Sequence, residues 1–189
     1  MSLNGDTSTS LTKLDFQQAI TGGYLKSLQV FYFALGIGVL IFLFVALFVF
    51  IQSSAVVLAA EEELVGMLTV VHGIYAVLGY TVAAFLFRRM IARARPEMGK
   101  VYGAEELLNV LRLASVIRLT VVEGVAFFGL VLLFIAAQAG VLYQYPVYWL
   151  NLFSTVILFV FVFRDFPSRQ RIEELSERIF LSHQSVERS

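Results

Sequence analysis

Four stretches of this sequence, Leu28–Ile51, Leu64–Phe87, Leu119–Ala139 and Val147–Phe163, contain no Asp, Glu, Lys or Arg apart from Glu123. Each approaches or exceeds the ~20 apolar residues that an α-helix needs to cross a ~30 Å hydrocarbon layer. Inside lipid the backbone must satisfy its own hydrogen bonds, so runs of this kind are read as helices and not as irregular chain. The runs predict an all-α membrane protein, a bundle of four transmembrane helices over about residues 28–51, 64–87, 116–139 and 147–163.

The positive charges then orient the bundle. Lys13 and Lys26 precede the first run, and Arg88, Arg89, Arg93, Arg95, Lys100, Arg112 and Arg118 lie between the second and third. Arg164, Arg169, Arg171, Arg178 and Arg188 follow the fourth, whereas Gln52–Glu63 and Gln138–Pro146 contain no Lys or Arg. Cytoplasmic loops carry the basic excess. Both termini and the middle connection are therefore expected in the cytoplasm, N-in and C-in. The expected organisation is a tail over 1–27, the four-span bundle over 28–163 and a second tail over 164–189.

Composition narrows the function classes. With 59% hydrophobic and 15% charged residues in 189, the chain is committed to one bundle. There is no cysteine, so disulfides, thiolate metal sites and a nucleophilic thiol are excluded. No basic patch with interleaved aromatics points to nucleic acid. The first run lacks a small-residue cleavage site and is longer than a signal core, so it reads as a retained span.

Local patterns add detail. Met1–Thr12 is Ser/Thr-rich and reads as a disordered tail, and Leu14–Lys26 as a short surface helix broken at Gly22-Gly23. The first span is dense in Phe, including Phe31, Phe33, Phe42, Phe44, Phe48 and Phe50, which reads as lipid-facing bulk. Glu61, Glu62 and Glu63 open the second span, where carboxylates complement the positive end of a helix dipole. Gly66, Gly73, Ala76, Gly79 and Ala83 give that span a small-residue face suited to a buried, helix-packing position. Pro96 stops the helix that leaves it. From Ala104, with Glu105 and Glu106 in its first turn, one long helix is expected to rise unbroken from cytoplasm into the third span. Tyr143 to Trp149 forms an aromatic interfacial belt around Pro146. After Pro167, Ser168 is placed to cap a short amphipathic helix with Ile172, Leu175 and Ile179 on one face.

Glu123 is the acidic residue well inside a span, and a carboxylate there is expected to face the bundle interior, a partner or water. It lies roughly 10–15 Å in from the cytoplasmic side at 1.5 Å per residue. Tyr75 comes to about the same depth, with Tyr80 lower and His72 higher, so these three are its expected hydrogen-bond donors. Arg118, about 140° around the helix from Glu123, is better placed to reach the interface. His72 is read as a packed, hydrogen-bonded core residue, since one histidine cannot make a bis-His haem site within one chain. No metal ligand set, cofactor site, catalytic triad, paired catalytic carboxylates or phosphate-binding loop is found, and the broken helices of secondary transporters are missing.

Two resemblances arise at the third span. Thr120 to Val131, with Glu123 followed by Gly124, Val125, Ala126, Phe127, Phe128 and Gly129, resembles the ion-binding helix of rotary ATP synthase subunit c, which implies a proton-carrying carboxylate. That match covers about twenty residues, and the second span lacks the Gly-x-Gly-x-Gly ladder of that family. Lys26-Ser27-Leu28 with Tyr32–Leu35, Ile117-Arg118 with Glu123–Phe128, and Phe166-Pro167-Ser168 with Ile172–Leu175 resemble a family of small uncharacterised four-span membrane proteins of Bacteroidota. This second likeness covers nearly the whole chain and implies the same topology and a bacterial inner-membrane location. Together these readings favour a non-catalytic membrane component, an accessory or scaffold subunit or a self-associating bundle, whose partners are the lipid bilayer and further copies or a membrane complex. The alternative is a proton or cation carrier working through Glu123.

Overall fold

The structure, a computed structural model, describes residues 13–53, 59–94 and 103–174. The elements are α1 (Lys13–Ala19), α2 (Gly22–Gln52), α3 (Ala59–Ala94), α4 (Ala104–Gln138), α5 (Val141–Gln144), a 3₁₀ segment (Pro146–Leu152) and α6 (Phe153–Arg164). Among the described residues there is no strand. Four helical stretches, Gly22–Gln52, Glu61–Arg93, Ala104–Gln138 and Pro146–Arg164, are long and apolar enough to cross a membrane. They run alternately up and down, so the Arg-bearing ends of α3, α4 and α6 gather at one end of the molecule.

The helices are arranged around α4. α2, α3 and α6 all pack on it, and α6 also touches α2. Half of the apolar stretch of α4 is buried, against about a sixth of those of α2 and α3. The small-residue face expected on α3 is present, but as a narrow seam. Val65, Thr69, His72, Ala76, Gly79 and Ala83 recur at alternating steps of four and three, and the seam lies against α4. Gly73 meets open space, and Met67, Val70, Ile74, Val77, Leu78 and Phe85 are exposed. α3 is thus a peripheral helix, and α4 takes the central position that the small residues of the second span had suggested for α3. α2 divides its phenylalanines in a similar way. Phe33, Phe44 and Phe48 are exposed, whereas Phe42 packs on Phe127 and Phe134, with centroids 4.8 and 6.1 Å away.

The N-terminal break lies just before the glycine pair. Thr21 is extended (φ −81°, ψ 155°), and its hydroxyl accepts the Tyr24 N–H at 3.3 Å, capping α2. Gly22 and Gly23 occupy the first turn of α2 and do not interrupt it. α1 is also more than a surface helix. Phe16 and Ile20 are buried with Leu107, Leu108 and Leu111 of α4, Ile91 of α3 and Ile172, forming a second core beyond the Arg-bearing end of the main one. Tyr24 donates to the Leu108 carbonyl (3.0 Å) and Arg112 to Ser27 (2.8 Å), which fastens α2 to the same segment.

α4 runs without interruption, as its sequence predicts, and the Glu106 carboxylate accepts the Gly103 N–H at its start (2.9 Å). At its far end Gly140, with φ 69°, takes the left-handed conformation that turns the chain into α5. The last crossing then begins as a 3₁₀ helix at Pro146. A 3₁₀ turn rises about 2.0 Å per residue against 1.5 Å in an α-helix, so this 19-residue stretch extends to roughly 32 Å, not 28 Å. Beyond α6, Ser168 accepts the Arg171 N–H at 3.2 Å and residues 169–174 are helical. Ile172 is docked in the second core. Leu175 and Ile179, expected on the same face, lie outside the described residues, as do Met1–Thr12 and Pro96.

Candidate functional site

The polar groups within the four long helices fall into three places. The first is a buried node halfway toward the end opposite the arginines. His72 Nδ1 lies 2.9 Å from Asn151 Oδ1, and Nε2 lies 3.3 Å from the Val125 carbonyl. The amide nitrogen of Asn151 donates to Thr69 Oγ1 and to the Tyr148 carbonyl, both at 3.0 Å, and Ser154 donates to the Asn151 carbonyl at 3.1 Å. Asn151 sits near the change from 3₁₀ to α, where the backbone has carbonyls to offer such bonds. One side-chain network thereby joins α3, the backbone of α4 and the last crossing. Gly129 makes it possible. A Cβ there would collide with the Asn151 carbonyl oxygen, Ser154 Oγ and the His72 ring.

His72 is therefore a packed, hydrogen-bonded core residue, as the sequence implies, with partners that include Asn151. Asn151 was not among the expected site residues. The signal for it was its position as the one Asn in the fourth apolar run, where a polar side chain must find a bond or face one that is costly to leave unmade.

Glu123 is the second place. It is half-buried and has no hydrogen bond or ion pair among the described residues. Its expected donors are elsewhere. His72 is bonded to Asn151, Tyr75 packs edge-on against Phe128 with its hydroxyl beside Gly124, and the Tyr80 hydroxyl is buried without a partner among the described residues. Tyr75 lies level with Gly124, but the direction around α4 separates it from Glu123. Phe128 faces α3, whereas Glu123 is one turn from Phe127, which faces Phe42 of α2. Gly38, one turn below Phe42, has open space where a Cβ would stand. The carboxyl thus lies on the side of α4 that turns toward α2.

The third place is the Arg-bearing end. Arg118 is tied to Asp165 at 2.7 Å, and its guanidinium lies over the rings of Phe87 (5.1 Å) and Phe161 (4.6 Å). This single side chain links α3, α4 and α6. It reaches the end of the bundle and does not pair with Glu123, in line with its expected placement. Asp165 also receives Arg171 at 3.4 Å. At the opposite end Tyr143 donates to the Phe50 carbonyl (3.0 Å) and stacks on its ring, and Trp149 meets Phe50 edge-on. The Glu62 carboxylate beside Tyr145 pushes that phenol's pKa up by its charge first, with burial second and the hydrogen bond the carboxylate accepts from the phenol third.

Among the described residues no three of His, Asp and Glu come together as a metal-ligand set. Comparison with protein-family models, with curated proteins and with solved structures finds no match for the chain.

Proposed function

We propose that the chain is a non-catalytic integral component of a bacterial cytoplasmic membrane, with both termini inside, acting as an accessory or scaffold subunit or as a self-associating bundle. The observation that carries this reading is how its buried polar groups are used. His72 and Asn151 direct their bonding capacity to each other, to Thr69 and to main-chain carbonyls, so they join helices and present nothing to a substrate. The broad apolar exposure of α2 and α3 supports lipid or partner helices as their neighbours, and the one-sided Lys/Arg distribution supports the orientation. Purification in mild detergent tests the reading. A stoichiometric membrane complex or a defined homo-oligomer is expected, and a monodisperse single chain with no associate would contradict it.

One observation favours a second reading, a proton or cation carrier. Glu123 has no hydrogen bond or ion pair among the described residues, and a carboxyl inside an apolar span is a candidate for proton or ion transfer. The two readings part on Glu123→Gln. A structural residue tolerates the neutral, similarly sized amide, whereas a carrier loses all flux. We expect Glu123→Gln to insert and assemble as the parent does. Labelling by a hydrophobic carbodiimide that disappears in Glu123→Gln, together with loss of a proton flux seen in parent vesicles, would promote the carrier.

A further inference from the structure

Between the ends of α3, α4 and α6 lies a cavity of about 490 Å³, within the ~300–1,000 Å³ range of small-ligand sites. Four guanidinium groups line it, from Arg88, Arg118, Arg164 and Arg171, against the single carboxylate of Asp165. That carboxylate is occupied by Arg118 and Arg171. Arg88 and Arg164 are exposed and have no hydrogen bond or ion pair among the described residues. The site therefore carries two cations that have no counter-charge among the described residues, beside an arginine fixed by ring contacts. The hydroxyl-bearing residues Tyr32 and Ser115 add neutral donors to the lining, and Leu119, Val122 and Val160 form an apolar wall leading away from the charges.

A guanidinium presents a planar fork of donors that matches a phosphate, and its positive charge calls for an anion. Apolar surface continuous with the charged rim suits a ligand with a hydrocarbon part. A basic pocket between membrane helices is the arrangement that receives lipid phosphate headgroups. We propose that this cavity binds the phosphate of an anionic phospholipid between Arg88 and Arg164, with the lipid's apolar part along Leu119, Val122 and Val160.

The test uses the full chain reconstituted in phosphatidylcholine nanodiscs doped with phosphatidylglycerol, with retained lipid read by native mass spectrometry. Arg88→Gln with Arg164→Gln removes the two free cations without touching the Arg118–Asp165 pair. Arg89→Gln with Arg169→Gln removes the same charge from positions outside the cavity. The parent is expected to select phosphatidylglycerol. The cavity variant should lose that selection roughly twenty-five-fold, since each basic side chain near an anionic surface contributes about fivefold, and the control should change by less than about twofold. Millimolar inorganic phosphate should leave the bound lipid in place. No preference over phosphatidylcholine, equal losses in the two variants, or displacement by inorganic phosphate would each overturn the proposal. A chain that fails to reconstitute would instead overturn the membrane reading itself, and the site with it.

Discussion

Asn151 and Gly129 set how closely the last crossing packs against α3 and α4. The Asn151 side chain meets α3 and its carbonyl oxygen comes up against Gly129, so the last crossing is held at both atoms. Gly129→Ala is expected to push α4 and the last crossing apart, at about 1–3 kcal/mol of overpacking. Asn151→Ala should cost about 1–2 kcal/mol, in the range of hydrogen bonds between membrane helices, and Thr69→Val less. Unfolding in detergent by heat or dodecyl sulfate measures all three, and an unchanged midpoint in Gly129→Ala would contradict the packing described. The two residues differ in how far the sequence announced them. Glu123 was conspicuous because a charge stands out in an apolar run, and its depth follows from helix rise alone. Its partners do not, because the rotation of α4 is set by Phe127 meeting α2 and Phe128 meeting α3, contacts between distant parts of the chain. Asn151 stands out as the one Asn of the fourth apolar run, but its pairing with His72, 79 residues away, leaves no local pattern.

Helix ends follow the chemistry of single turns, and many of them were legible for that reason. Ser168 caps the helix at 169–174 as its spacing implies, and Glu106, expected as a first-turn carboxylate, also accepts the Gly103 N–H at the start of α4. The break before α2 falls at Thr21, because a Thr hydroxyl offers the cap a bond that glycine lacks. The 3₁₀ opening of the last crossing has no such signature beyond Pro146, since it depends on fitting a short stretch between α4 and the far end. Gly140→Ala is expected to destabilise the α4–α5 turn by about 1–2 kcal/mol, the cost of a side chain in the left-handed region. α1 offers a separate check, because its docking depends on one aromatic ring. Phe16, fully buried, is the largest side chain that α1 contributes to the second core. Phe16→Ala should weaken that docking by about 3 kcal/mol. Faster amide exchange over residues 13–19, with the long helices still protected, is the expected result. Uniform exchange throughout the chain would mean that the second core is not a separate unit.

For the molecule as a whole, the number of long helices follows from hydropathy, and the clustering of arginines at one end follows from their order in the chain. The arrangement around α4 does not, because all four apolar runs are rich in large side chains and the seam on α3 is only one residue wide per turn. The central proposal is that these helices cross a membrane with the Arg-bearing end inside. The absence of native cysteine makes that directly measurable. Single-cysteine variants at Gln144, near the far end, and at Ala92 and Ser168, at the Arg-bearing end, are exposed to an impermeant thiol reagent on intact spheroplasts and again after the membrane is opened. Gln144→Cys should label in intact cells, and Ala92→Cys and Ser168→Cys only after opening. Labelling of Ala92→Cys or Ser168→Cys from outside would contradict the orientation and the placement of the arginine cavity on the inner face.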